Sequence, residues 1–159
     1  MNKQFGVVLG LFLVAVVGRA ANYKAQKVAI DGADVVRLTD TARGVVVSIL
    51  PGSGNRAYEL TVRGKQVLAR PGGIPLLAPW ANRLDQNAFW ANGKKYLLNP
   101  DLQTVHYDNN HLPIHGLLDK AVWSVTSYKV YDQWSEATSQ LEFWRHREWM
   151  AQFPFADTL

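Results

Sequence analysis

VVRLTDTARGVVVSILPGSGNRAYELTV, residues 35–62, contains three apolar runs, Val35–Asp40, Gly44–Pro51 and Ala57–Val62, split by turn chemistry at Arg43-Gly44 and at the PGSGN cluster, 51–55. Val, Ile, Thr and Tyr crowd a helix but pack well on a pleated surface, so runs of this length between such breaks predict strands. The pattern extends both ways. Asp31-Gly32 bounds the first run, and Arg63-Gly64 separates the third from KQVLA, 65–69. In AFWANGKKYLL, 88–98, Asn92-Gly93 can adopt the two positive φ values of a type I′ turn, which predicts a hairpin joining Phe89-Trp90 to Tyr96-Leu97. AVWSVTSYKVY, 121–131, alternates with period two and is expected to pair antiparallel with TSQLEFW, 138–144. No stretch after residue 20 has a convincing helical period, and nothing marks a second domain. The expected fold class is all-β, an antiparallel β-sandwich of short strands.

Composition sets the bounds on function. The 159 residues are 48% apolar and 19% charged, as in a globular domain, and the formal charge is +4. The basic residues are scattered, without the stripe a phosphate backbone requires, so nucleic acid is not an expected partner. There is no cysteine, which removes disulfides and thiolate metal sites. G-x-S-x-G, the P-loop and the dinucleotide fingerprint are all missing.

The first residues, MNKQFGVVLGLFLVAVVGRA, read as an export signal: Lys3 supplies the positive start, Phe5–Val17 the apolar run, and Gly18 and Ala20 the small residues before cleavage. Residues 1–20 are therefore expected to be removed, leaving 21–159 exported, periplasmic or secreted. The run is shorter than the roughly 20 residues of a membrane span, so no stable anchor is expected. Loss of Lys3 and Arg19 lowers the formal charge from +4 to +2.

Two polar islands interrupt the apolar segments. LLAPWANRLDQ, 76–86, places Asn82 and Arg83 directly behind an apolar run closed by Pro79 and Trp80. A guanidinium there must be paired or solvated, and Asp85 is the acid nearest in sequence. NNHLPIHGLLDKAVW, 109–123, places His111 and His115 around Pro113, with Gly116 next to His115. Pro113 breaks the helical geometry that would make a metal pair of the two histidines, and no third ligand stands nearby, so no metal is expected. His106 and His146 sit among polar neighbours and take no assigned role.

These islands carry a resemblance. GIPLLAPWANRLDQNAFWANGKKYLLNPD, 73–101, followed by LPIHGLLDKAVWSV, 112–125, resembles the aldose 1-epimerases, the galactose mutarotase-like proteins, and the likeness runs from VSILPGSGNRAYELTV, 47–62, to EWMAQFPFADTL, 148–159. Its most specific blocks are ANR after a Pro-aromatic step and HG about thirty residues later. The resemblance implies a large β-sandwich with an open sugar cleft, and an isomerase that interconverts the α and β anomers of free aldohexoses such as glucose or galactose, without a cofactor. It implies that Arg83 and Asn82 bind the substrate, with Asn82 positioning Arg83 or its loop. His115 then binds the sugar near its ring oxygen and serves catalysis. The apolar run before Arg83 becomes an inner strand delivering it to the cleft floor. Trp80 and Trp90 are left either at the rim or in the core.

Two departures matter. Only ARPGG, 69–73, separates the VL strand from GIP, a shortened rim. The general acid and general base implied by the resemblance find no matching motif, because Glu142 and Glu148 stand in another context. The expectation is an N-terminal portion of such a domain, unable by itself to catalyse. The competing readings are a noncatalytic carbohydrate-binding sandwich module and a relative of the hexose-phosphate epimerases.

Overall fold

The computed structural model describes residues 22–68, 72–155 and 157–159; the expected export signal lies outside the described residues. β1 (Tyr23–Ile30), β2 (Ala33–Asp40), β3 (Val45–Leu50), β4 (Arg56–Val62) and β5 (Lys65–Gln66) form one antiparallel sheet in sequence order. Each β-branched run forms a strand, and each turn pair takes the backbone it was suited to. Asp31 and Gly32 have φ of 51° and 78°, and Arg63 and Gly64 have 50° and 76°, all in the left-handed region that a two-residue hairpin requires. Of KQVL, 65–68, only Lys65–Gln66 form a strand, and Ala69 lies outside the described residues.

One polar row crosses this sheet. Arg37 on β2, Ser48 on β3 and Glu59 on β4 stand opposite one another in register. Arg37 reaches Glu59 at 3.2 Å, while the fully buried Ser48 donates its hydroxyl to the same carboxylate. A buried hydroxyl is costly unless hydrogen-bonded, and here both cross-strand neighbours satisfy it.

The hairpin of β6 (Ala88–Ala91) and β7 (Lys94–Leu97) has the expected register, Phe89 opposite Tyr96, with Asn92 and Gly93 at φ 50° and 72°. Trp90 is 71% exposed on it. The short β8 (His106–Tyr107) and β9 (Pro113–Ile114) pair with each other, and β10 (Ser124–Val130) pairs with β11 (Ser135–Gln140); this hairpin packs across β1 and β2 as a second layer, β10 against β1 and β11 against both. Thr138–Gln140 of the expected TSQLEFW pair antiparallel with β10, but the partner strand starts earlier, at Ser135, and stops at Gln140. At Leu141 the chain leaves the hairpin, and its backbone exchanges two 2.9 Å hydrogen bonds with Leu159. Leu141 and Phe143 are 4% and 3% exposed, and a strand continuing beside β10 would compete with that burial.

The core contains Leu98, Leu117, Leu118, Trp123, Leu141 and Phe143, with Trp80 and Phe89 packed against it. Burying one such side chain contributes about 1.5–3 kcal/mol. Trp80 is thus a core residue and Trp90 a surface one. The helix α1 (Arg147–Gln152) has six residues, too few to display a helical period in sequence. It is fixed by Gln152, 1% exposed, whose amide accepts from Asn99 N at 2.7 Å and donates to Asn99 O at 2.6 Å and to Thr104 Oγ1 at 3.1 Å. Among the described residues no helix is long and apolar enough to cross a membrane.

Candidate functional site

The two polar islands meet through their backbones. Leu84 N donates to Pro113 O, and His115 N donates to Asn82 O, both at 2.9 Å, with Arg83 opposite Ile114 in an antiparallel bridge. Asn82-Arg83 and His115, thirty-odd positions apart in sequence, therefore lie on neighbouring segments. The expectation of an inner strand ending at Arg83 is not met. Residues 76–86 make only isolated bridges, at Ala78 and Arg83. Pro75 and Pro79 each lack the N–H a continuous ladder needs, and Asn82 takes φ 62°.

The second segment is held as tightly. Gly116 makes a parallel bridge with Ala78, and Leu117 N donates to Ala78 O at 2.7 Å. Gly116 has φ 73°, and a β-carbon there would lie 2.0 Å from Ala78 O, so only glycine permits this approach. His115 itself has φ 68°. Histidine tolerates left-handed backbone better than most side chains, and here the hydrogen bond from His115 N to Asn82 O fixes it.

Arg83 is paired, but with Asp108 rather than with Asp85. Its Nε lies 2.5 Å from Asp108 Oδ2, and Nη1 donates to Asn82 Oδ1 at 3.0 Å. The Arg83 side chain remains 47% exposed and Asp108 only 10%. The other oxygen of Asp108 accepts from Asn110 N at 2.8 Å and Leu112 N at 3.0 Å, closing the loop that carries His111. The Arg83 hydrogen bond first, then the Leu112 N–H, hold this carboxyl below its ordinary range. Asp108 is thus a fixed anion orienting one edge of the guanidinium. Sequence reading missed it because the signal was a lone acid twenty-five residues away, in a loop with no apolar period. Beside it, the Tyr107 hydroxyl donates to Asn87 Oδ1 at 2.9 Å, and burial pushes its pKa up.

The site thus contains a half-exposed guanidinium held on two sides, an asparagine that sets both its position and the backbone of His115, and an imidazole on a left-handed turn. Such a group can offer fork-like donors to adjacent hydroxyls and one further hydrogen bond from the imidazole. Among the described residues no cluster of three or more histidines and acids is placed to hold a metal.

No family model and no curated protein matches the sequence. Solved structures do match. A galactose mutarotase-like protein from Clostridium acetobutylicum aligns with a TM-score of 0.69 at 21% identity, covering 84% of this chain and 42% of that one. The Slr1438 protein of Synechocystis aligns at 0.61 and 25% identity, over 80% and 43%. A galactose 1-epimerase from Lactobacillus acidophilus aligns at 0.57 and 14% identity, over 76% and 39%. The chain spans about two-fifths of the length of these structures. Together with the antiparallel strands laid one layer on another, these likenesses identify the fold: the chain has the β-sandwich architecture of the galactose mutarotase-like proteins.

Proposed function

We propose that the chain recognises a free aldohexose at Arg83, Asn82 and His115, as part of an aldose 1-epimerase. The observation that carries this reading is the backbone pairing of 82–84 with 113–115, which sets a half-exposed arginine beside a histidine held in left-handed conformation. Arg83 donates to sugar hydroxyls, and His115 hydrogen-bonds near the ring oxygen, where negative charge grows as the ring opens. In the reaction a proton leaves the C1 hydroxyl while one reaches the ring oxygen. The C1–ring-oxygen bond breaks to an open-chain aldehyde, the C1–C2 bond rotates, and the ring closes on the other face.

Asp108 does not serve as the base. A carboxylate held below its ordinary range by Arg83 is a weak proton acceptor, so its part is to orient the guanidinium. The acid and base are assigned to groups other than this pair, and the chain alone is proposed to bind sugar without accelerating mutarotation. A phosphorylated sugar is disfavoured because Asp108 already offsets the charge of Arg83. Export with loss of residues 1–20 is proposed on the sequence pattern, and N-terminal sequencing of the secreted product checks it.

Polarimetry of freshly dissolved α-glucose, together with NMR titration of glucose and galactose, tests the main reading. Wild type binds sugar at the buffer rate of mutarotation, and Arg83→Ala and His115→Ala each weaken binding about tenfold. Binding indifferent to both variants overturns the site. A rate above buffer that falls in either variant places an acid and base within the chain.

A further inference from the structure

A polar cavity of about 340 Å³ opens beside the β10–β11 hairpin, and neither Arg83 nor His115 lines it. Its walls include Thr126 from β10, Gln140 from β11, and Glu142, Arg145 and His146 from the turn that follows, over the buried Leu141. We propose that this cavity is a carbohydrate-binding site of its own, taking one uncharged pyranose ring. The proposal does not depend on the role given to Arg83 and His115.

The donor and acceptor balance supports an uncharged ligand. Glu142 and Arg145 form an ion pair at 2.8 Å and cancel one another's charge. A phosphate or carboxylate ligand would require an excess of donors, and an ammonium an excess of acceptors. The wall instead mixes the Ser124 hydroxyl and the Gln140 amide, each both donor and acceptor, and the His146 imidazole with one acceptor-only carboxylate and one donor-only guanidinium, while the Thr126 hydroxyl already donates to Thr138 O at 3.2 Å and is left to accept. Vicinal hydroxyls, each a donor and an acceptor at once, need that mixture. The volume falls at the low end of the roughly 300–1,000 Å³ typical of small-molecule sites, which fits one ring rather than a long chain.

The groups are also held before a ligand arrives. Val125 pairs with Ser139 and Ser127 with Thr138, so Thr126 is the extra residue of a β-bulge, a feature that re-aims a side chain. The guanidinium of Arg145 lies 4.9 Å over the Trp144 ring, and the His146 ring stacks on Trp149 at 3.7 Å with 24° between planes. Side chains already fixed lose less freedom on binding, which favours recognition of a small ligand.

NMR titration of the isotope-labelled chain with methyl β-D-galactopyranoside, methyl β-D-glucopyranoside and glucose 6-phosphate tests the proposal. The expected result is saturable shifts of the Thr126, Gln140, Glu142, Arg145 and His146 amides with the uncharged glycosides, unchanged in Arg83→Ala. Arg145→Ala weakens them about tenfold, and Gln140→Leu, which spares the ion pair, does so severalfold. Shifts confined to 82–84 and 113–115, no saturation at these residues with any glycoside, tighter binding of the phosphate here, or affinity unchanged in both variants overturns the proposal. Because Arg83→Ala acts only on the first site, failure of one reading is distinguishable from failure of the other.

Discussion

Arg83 Nε and Asp108 Oδ2 lie 2.5 Å apart, across twenty-five positions of sequence, and the same carboxylate also accepts the Asn110 and Leu112 backbone N–H groups. One acid therefore fixes both the guanidinium and the loop leading to His115.

Asp108→Asn keeps the shape but removes the charge and half of the acceptor capacity. With Arg83 less firmly oriented, sugar affinity should fall about three- to tenfold in NMR titration. An affinity equal to wild type would leave Asp108 without a positioning role.

Acid stability gives an independent check on the same residue. The folded-state pKa of Asp108 is depressed from 3.8, so its stabilising contribution is present above that value and lost as pH falls through the folded value. Urea midpoints of wild type and Asp108→Asn should differ at neutral pH and converge below it. A gap that widens on acidification would contradict the sign argued here.

Gly116 and Gly93 share a φ near 70° but differ in surroundings. A β-carbon on Gly93 meets nothing within 4 Å, whereas on Gly116 it meets Ala78 O at 2.0 Å. Gly93→Ala should cost about 1 kcal/mol, the penalty of the backbone conformation alone. Gly116→Ala should cost more than about 3 kcal/mol, because backbone must move as well. Equal losses by chemical denaturation would show that the Ala78 approach is not tight.

Gln152 clamps Asn99 and Thr104 from inside the fold. Gln152→Leu should destabilise the chain by about 1–3 kcal/mol, since the Asn99 N–H and C=O lose their partner at a part-buried position. Gln152→Glu keeps the acceptor but sets a carboxylate oxygen against Asn99 O. Its loss should be large at neutral pH and smaller in acid, where a protonated carboxyl can donate. A Leu variant within about 0.5 kcal/mol of wild type would show that the clamp contributes little.

What the amino-acid sequence settled by itself was local. Asp31-Gly32, Arg63-Gly64 and Asn92-Gly93 each specify a turn through the backbone preferences of two adjacent residues, and the β-branched runs between them have one comfortable conformation. The second, third and fourth strands of the first sheet and the Phe89–Tyr96 register follow from those preferences alone. The order of ANR and HG was legible too, as a resemblance. Only the tertiary structure decided partners separated along the chain. Asp85 lies two residues from Arg83 and Asp108 twenty-five away, yet Asp108 is the partner, because the loop 108–112 is folded back on its own carboxylate beside the paired segments. Leu141 leaves β11 for Leu159, and Gln152 reaches Asn99, for the same reason. Turn chemistry acts between neighbours, whereas burial and charge pairing act on whatever the packed chain brings within a few ångströms, and that neighbourhood is set by all the segments together.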